Sequence, residues 1–417
     1  MKHSPFTALK EPAFRAYFIG RTISRIGGSL STLALTFGIL EAGGSAADLG
    51  LVIGASMVPQ LILLLVGGVI GDRFERRRIL VISDVVMGIA QLITAALLLN
   101  HSAHLWQLIV LQFISGCASA FFNPASNGAV RDFVGPDNVQ QAQSLLSISG
   151  SLNRIIGPAL AAGLIAATSS GVALAVDAVT FFISAAFLMK VPKAAKTIAI
   201  GTSIWEELRT GWNEVKSRSW VVAYIGAACI YQATSLPALM VLGPLLAVSK
   251  LGGASAWATV LTAEAIGALM AGVVLTRWHP EFPMKQAMRL LILGSPLFFV
   301  MALPNVRLSW LILPAFLSGV AIPMADTLWL AALAENIPDS AQARVSSYDW
   351  LGSLAFAPIG YALIGHLGDR FSSTSIFAGV GAIDVAVSCL LLAVPGIRLL
   401  RRTEPERKIS ADSVTDI

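Results

Sequence analysis

The chain has 417 residues, of which 55% are hydrophobic and 13% charged, and its formal net charge is +5. Charged residues make up about 25% of an ordinary soluble domain, so this composition excludes a water-soluble globular protein and places the apolar side chains in lipid. The positive charge does not indicate a nucleic-acid-binding protein, because the basic residues lie in short loops between apolar runs, as they do in membrane proteins.

Twelve apolar runs are long enough to cross a bilayer. A hydrocarbon core of about 30 Å requires about 20 helical residues, and runs of this length in lipid indicate helices because the backbone must satisfy its own hydrogen bonds. The expected fold class is therefore an all-α integral membrane protein with twelve transmembrane helices. The predicted spans are residues 15–41, 47–70, 79–100, 104–126, 141–167, 170–190, 220–249, 254–277, 287–303, 308–332, 343–368 and 374–399.

The sequence contains no signature of an enzyme. It has no G-x-x-x-x-G-K-[ST] stretch, no nucleophile elbow and no His–Glu metal pair, so neither catalysis nor a cofactor or metal is expected. Cys117, Cys229 and Cys389 lie inside apolar runs, which indicates packing or lipid-facing residues. The N-terminal stretch "MKHSPFTALKEPAF" has no apolar core of a signal peptide, so the first span is expected to remain in the protein.

Basic residues collect in alternate loops. The loops at 71–78 and 277–289 hold several of them, Arg131 and Arg344 lie in other loops of the same set, and both termini are basic. The intervening loops "EAGGSAAD" and "NHSAH" have no Lys or Arg, with Lys250, Arg307 and Arg370 as isolated exceptions in this set. The positive-inside rule then predicts a multi-pass protein of the inner or plasma membrane with both termini in the cytoplasm.

A polar segment at 191–219 divides the chain into an N-terminal bundle, 1–190, and a C-terminal bundle with a short cytoplasmic tail, 220–417. One helical face of this segment is apolar and the other charged, which predicts an amphipathic helix lying in the cytoplasmic interface. The alternative is a solvated linker with incidental aromatic residues. The apolar positions are Ile204, Trp205, Leu208, Trp212 and Val215.

The two halves resemble each other in sequence. A shift of about 202 residues aligns "PDNVQQAQSLLSISGSL" at 136–152 with "PDSAQARVSSYDWLGSL" at 338–354, each before the fifth helix of its half. Two six-helix pseudo-symmetric bundles are a known transporter plan, in which the binding cavity lies between the bundles near the midplane.

The loop "GGVIGDRFERRR" follows the spacing G-x-x-x-D-R-x-x-R-R between the second and third spans. It resembles the signature loop of the major facilitator superfamily, and "FRAYFIGRTISRIGGSLSTLAL", "FFNPASNGAVRD" and "LNRIIGPALAAGLI" resemble its branch of enterobactin exporters and macrolide efflux proteins. The resemblance implies that this loop is a cytoplasmic gate. Asp72 would face the start of the eleventh helix near Arg344–Asp349, and Arg73 would approach Asp132. The alternative is a topology determinant with no gating role. The gating residues expected are Gly68, Asp72, Arg73, Arg76, Arg77, Asp132 and Asp349.

The stretch "GPALAAG" in the fifth span resembles the glycine-proline motif of family antiporters, with alanine at two of the usual glycine positions. Its residues are Gly157, Pro158 and Gly163. Small residues allow close helix packing, so this stretch is either a functional hinge or an ordinary packed bend.

Ionisable residues inside spans are functional candidates, because each costs roughly 2.5–3.5 kcal/mol to insert. The candidates for substrate binding or proton coupling are Arg25, Arg154, Glu264, Asp326 and Asp384. Structural pairing is the alternative for each. Gln112 and Gly28 stand where relatives often carry an arginine and an acid, so the usual coupling pair of the family is not in its usual places.

The sequence therefore predicts a secondary active transporter that exports amphipathic, drug-type small molecules by alternating access, coupled to protons. A siderophore or other metabolite exporter of the same fold is the first alternative, and a non-transporting receptor or scaffold is the second. The expected partners are a small-molecule substrate, protons and the lipid bilayer, and the expected assembly is a monomer. No nucleic-acid partner is expected.

Overall fold

A computed structural model of the chain describes residues 7–73, 75–135, 138–191, 212–338, 341–342, 345, 348–349, 351–352 and 355–402, with the backbone alone over 64–73. Within these ranges the chain is helical and has no β-strand. The all-α fold class predicted from the sequence is confirmed.

The N-terminal half contains six helices, preceded by one turn of 3-10 helix at Thr7–Lys10. These helices are α1 Pro12–Glu41, α2 Ala46–Arg73, α3 Arg76–Leu99, α4 Leu105–Val134, α5 Val139–Ala167 and α6 Ser170–Met189. The C-terminal half begins with α7 Ser219–Leu251, α8 Ala254–Leu275, α9 Pro283–Met301 and α10 Leu308–Asn336. Its last two spans are α11, described over Ala357–Arg370, and α12 Ser373–Ala393.

Eleven of these helices are long and apolar enough to cross a membrane within the described residues, and α11 is the remaining one. Two predicted spans differ from uninterrupted α-helices. The α9 helix is interrupted at Ser295 before Pro296, whose ring removes a backbone donor. The α7 helix contains two π-helical segments, Ala238–Leu242 and Ala247–Leu251.

Local chemistry explains where several helices begin. Gly252 and Gly253 have φ angles of +103° and +86°, which allows the tight connection between α7 and α8. The Ser169 hydroxyl accepts a hydrogen bond from the Val172 N–H at the start of α6. Such caps satisfy N–H groups that have no partner inside the helix.

The buried core is divided unequally between the two sides of the bundle. We call the side that holds the start of α1 and the end of α12 the termini side, and the other the opposite side. On the opposite side one apolar cluster draws on both halves, including Phe37 and Leu49 from one and Leu242, Trp257 and Tyr361 from the other. On the termini side each buried cluster among the described residues belongs to a single half.

The two halves contact each other through α2 with α11 and through α5 with α8. The α2–α11 contact is close because it is made at glycines: a Cβ atom added at Gly50 would overlap the Tyr361 carbonyl oxygen, and one at Gly365 would lie 2.6 Å from the Ala46 carbonyl oxygen. With the shared core, these contacts close the bundle on the opposite side.

Candidate functional site

A cavity of about 280 Å³ lies inside the C-terminal half, between α7, α9, α10 and α12. Its polar lining includes Tyr224, Tyr231, Gln232, Asp326 and Asp384. The remaining wall is largely apolar, which is typical of a small-molecule pocket with a few oriented polar groups. The larger apolar lining residues are Ile230, Leu291, Phe298, Ile322, Val387 and Leu391.

The two carboxylates of this cavity each accept a hydrogen bond from α7. Tyr224 Oη donates to Asp326 Oδ1 at 3.5 Å, and Ser235 Oγ donates to Asp384 Oδ1 at 2.6 Å. Among the described residues that line the cavity there is no Lys or Arg. Because buried carboxylates are stable only when paired or protonated, this pocket favours protons or a cationic group.

An aromatic stack lies beside the cavity on the termini side. The Tyr224 ring stacks on Trp329 with centroids 4.0 Å apart, and Trp220 meets Trp329 edge-on at 5.4 Å. Trp329 Nε1 donates to Asp349 Oδ2 at 3.0 Å. Asp349, predicted as a gating residue, is therefore held within the C-terminal half, near the acidic cavity.

Glu264 lies in the middle of α8, where this helix packs closely on α10. A Cβ atom added at Gly319 would overlap the Glu264 backbone. Within the described residues, the Glu264 carboxylate makes no hydrogen bond or ion pair. Glu264 does not line the cavity that contains Asp326 and Asp384.

The predicted arginines lie in the N-terminal half, along the contact between α1 and α5. Arg25 Nη1 donates to the Leu146 carbonyl oxygen at 2.7 Å, and Asn153 Nδ2 donates to the Arg25 carbonyl oxygen at 2.8 Å. Arg154 is exposed, and its Nη2 donates to Ser151 Oγ at 3.1 Å. Neither guanidinium pairs with a carboxylate among the described residues. The contact between α1 and α5 therefore carries guanidinium groups, whereas the cavity of the C-terminal half is lined by carboxylates.

The predicted gate is described only in part. Arg76 Nη1 donates to Asp132 Oδ2 at 2.8 Å, joining the start of α3 to the end of α4, and Arg77 Nη2 donates to the Met189 carbonyl oxygen at 2.9 Å. We predicted Arg73 as the partner of Asp132, and this contact stays a prediction because the Arg73 side chain lies outside the described residues; among the described side chains, Arg76 contacts Asp132. Gly68 is described by its backbone alone, and the side chains of Asp72 and Arg73, residue Arg344 and most of the 191–219 linker lie outside the described residues.

The fifth-helix motif contains two glycines with different surroundings. A Cβ atom added at Gly157 would lie 2.6 Å from Ser29 Cβ of α1, whereas one at Gly163 would meet nothing within 4 Å. Pro158 lies inside α5, which continues through it. The first glycine therefore permits a close helix contact, and the second is not required for packing in this conformation.

Sequence reasoning did not identify the donors that hold the two cavity acids. Tyr224 and Ser235 belong to an apolar span that contains other polar residues, and the sequence does not distinguish these two from the rest. Their pairing depends on residues that are 102 and 149 positions apart.

These features define the class of the protein as a helical membrane protein of two bundles, closed on one side, with charged groups and a cavity inside. A model of the Major Facilitator Superfamily matches residues 17–349. The chain belongs to this superfamily, whose members named below are transporters.

Three curated relatives are similar to the chain. Macrolide efflux protein A of Streptococcus pyogenes is 21% identical and covers 94% of this chain and 97% of its own. The enterobactin exporter EntS of Salmonella typhimurium is 26% identical, with coverages of 94% and 95%. The uncharacterized MFS-type transporter YfiS of Bacillus subtilis is 30% identical over 53% of this chain and 55% of its own length.

Solved structures show the same fold. The nucleoside transporter NupG superposes with a TM-score of 0.73 at 13% identity, over 91% of this chain and 98% of its own. At this identity the likeness concerns the fold alone.

Proposed function

We propose that the chain is a secondary active exporter of amphipathic small molecules, driven by proton antiport. The observation that carries the proposal is the cavity in which Asp326 and Asp384 lie with hydrogen-bond donors but without a basic residue. Two carboxylates in an apolar wall bind protons or a positively charged substrate group, and competition between these two is a means of coupling export to proton entry.

The proton gradient supplies enough free energy for this reaction. One proton that crosses about 150 mV releases roughly 3.4 kcal/mol. This supports a substrate gradient of about two to three decades, since each decade requires about 1.4 kcal/mol.

The division of the core supports alternating access between the two bundles. A shared core on the opposite side and separate cores on the termini side suit halves that rock about the contacts of α2 with α11 and α5 with α8. In our proposal the protein acts as a monomer in the inner or plasma membrane. Both termini then lie in the cytoplasm.

A metabolite exporter is the second candidate, because Arg25 and Arg154 have no carboxylate partner in the part of the chain that the structure describes. Two unpaired guanidinium groups on the N-terminal side favour an anionic substrate, such as a siderophore. The enterobactin exporter among the relatives agrees with this candidate, and the macrolide efflux protein agrees with the first.

Everted membrane vesicles test the proposal with a panel of cationic dyes, macrolides and catecholate siderophores. We expect accumulation that collapses when a protonophore is added. We expect Asp326→Asn and Asp384→Asn to reduce the accumulation ratio about tenfold or more while exchange of substrate down its gradient persists.

Ser318→Ala is the matched control, because Ser318 lines the same cavity without a charge. It should leave uphill transport intact. Unchanged accumulation in both aspartate variants would exclude these acids from coupling. Absence of flux for the whole panel, in folded protein, would favour a receptor or scaffold.

A further inference from the structure

An aspartate from the C-terminal half binds the beginning of a helix in the N-terminal half. Asp369, at the end of α11, accepts hydrogen bonds from the backbone N–H groups of Ala46 at 3.0 Å and Ala47 at 3.3 Å. These are the first two residues of α2. The first N–H groups of a helix have no partner inside it and carry partial positive charge, so a carboxylate there is stabilising.

The α2 helix also has a cap of its own, which makes the contribution of Asp369 an addition. Ser45 N–H donates to Asp48 Oδ2 at 2.8 Å, and Asp48 N–H donates to Ser45 Oγ at 3.3 Å. Both residues belong to the N-terminal half. Asp369 therefore does not replace a missing cap; it joins the two halves at donors that the local cap leaves free.

The surrounding packing brings Asp369 to this position. Gly365 and Gly368 lie four residues and one residue before it, and an added Cβ atom at either would come within 3.0 Å of α2 or α7 atoms. The glycines thus let α11 approach α2 closely enough for the carboxylate to reach the backbone.

The same residue pattern occurs at the end of α2. Residues 68–74 read GVIGDRF and residues 365–371 read GHLGDRF, so both glycines, the aspartate, the arginine and the phenylalanine recur at identical spacing. The first copy contains Asp72, the predicted gate residue of the termini side. Because α2 and α11 are neighbours that run in opposite directions, the two copies lie at opposite sides of the bundle.

We infer that Asp369 is a gating residue that holds the two halves together on the opposite side of the transporter. We call its contact with the backbone N–H groups of Ala46 and Ala47 the latch. The latch is formed while the opposite side is closed, and it must break when the halves separate there. This inference rests on the alternating access proposed above, but it concerns the conformational equilibrium and not the substrate. It goes beyond the gate expected from the loop between α2 and α3.

Distance measurements between spin labels test the latch without any substrate. Labels at Glu41→Cys and Leu303→Cys report the opposite side, since both positions are exposed there and belong to different halves. Cys117, Cys229 and Cys389 are first replaced by serine. We expect Asp369→Ala to raise the ratio of open to closed molecules about three- to tenfold, and Asp369→Asn to raise it less.

Asp48→Ala is the matched control, because it removes a carboxylate from the same helix end without touching the other half. It should lower the melting temperature but leave the distance distribution unchanged. An unchanged distribution in folded Asp369→Ala protein, or an equal shift in Asp48→Ala, would overturn the latch. Loss of transport alone would count against the proposed export and not against the latch.

Discussion

At the scale of single residues, Asp177 is a buried acid that hydrogen bonds hold between helices. Asp177 of α6 is 1% exposed and accepts from Gln91 Nε2 of α3 at 2.9 Å and from Thr180 Oγ1 at 3.4 Å. Gln91 also donates to Ser31 Oγ of α1. This network joins three helices of the N-terminal half, so Asp177 differs from Asp326 and Asp384, which line a cavity.

We predict that Asp177→Ala destabilises the protein without altering coupling. The substitution removes one of the two buried acceptors of the Gln91 amide, a loss of about 1–3 kcal/mol. Thermal melting in detergent should show a lower transition temperature, and the accumulation ratio per folded molecule should equal that of the unmodified protein.

The conservative variant distinguishes this role from a functional one. Asp177→Asn keeps an oxygen that accepts from Gln91, so it should recover most of the lost stability. Loss of uphill transport in Asp177→Asn, at unchanged melting temperature, would assign the residue to the transport cycle instead.

The sequence indicated which residues carry charge inside the membrane, but not what each one contacts. Arg25, Arg154, Glu264, Asp326 and Asp384 are visible because an ionisable residue stands out in an apolar run. The partners of Arg25, Asp326 and Asp384 come from helices distant in sequence, such as Leu146 for Arg25, 121 positions away. A single sequence has no signal for such pairs, because most polar residues of a span are equivalent until the helices pack.

At the scale of helices, α1 and α5 pack closely through one glycine. The contact surface between these two helices, which we call the α1–α5 seam, is polar. The Thr22 and Ser149 hydroxyls are 2.9 Å apart, and Ser29 Oγ donates to Asn153 Oδ1 at 3.3 Å. Gly157 faces Ser29 at a close approach of the two helices. In a bilayer, where apolar burial does not drive helices together, such contacts determine their spacing.

We predict that Gly157→Ala separates α1 from α5 and lowers stability by about 1–3 kcal/mol. The added methyl group would overlap Ser29 Cβ, which no rotamer change can move away. Melting temperature in detergent measures the effect, and transport assays show whether the altered seam also impairs function.

Gly163→Ala is the control on the same helix, because its added Cβ meets nothing within 4 Å. It should be neutral or slightly stabilising, since glycine weakens a helix interior relative to alanine. The double variant Gly157→Ala with Ser29→Gly should regain stability. Failure of that rescue would show that the close contact is not the cause.

Helix number and position were predictable because the bilayer imposes a minimum apolar length. The predicted span at 287–303 corresponds to α9, yet its interruption at Ser295 was not predicted, because Pro296 inside an apolar run is compatible with either a kink or a break. The π-helical segments of α7 have no hydropathy signature either.

At the scale of the whole molecule, the fold was predictable and the conformation was not. Twelve spans, a central polar segment and the loop "GDRFERR" were sufficient to infer the superfamily. Which side is closed depends on the balance between two packed states that differ by a few kcal/mol, and a sequence encodes both states at once. The shared core of the opposite side identifies the state described here.

The paired patterns at 68–74 and 365–371 lead to a prediction about this balance. If Asp72 holds the termini side closed as Asp369 holds the opposite side, the two aspartates act on one equilibrium in opposite directions. Asp72→Ala should then favour molecules that are open on the termini side, whereas Asp369→Ala favours the reverse. The double variant should return the ratio of molecules open on the termini side to molecules open on the opposite side to within about twofold of its value in the unmodified protein. The reason is that independent contributions to one equilibrium add as free energies.

Spin labels at Gln140→Cys and Thr276→Cys, which are exposed on the termini side of different halves, measure this ratio together with the pair at 41 and 303. Compensation at both sides requires that the halves move as rigid bodies about one common contact. A double variant in which both sides open more than in either single variant would instead mean that the two aspartates hold the bundles together independently. In that case the two halves would separate on both sides instead of rotating about a common contact.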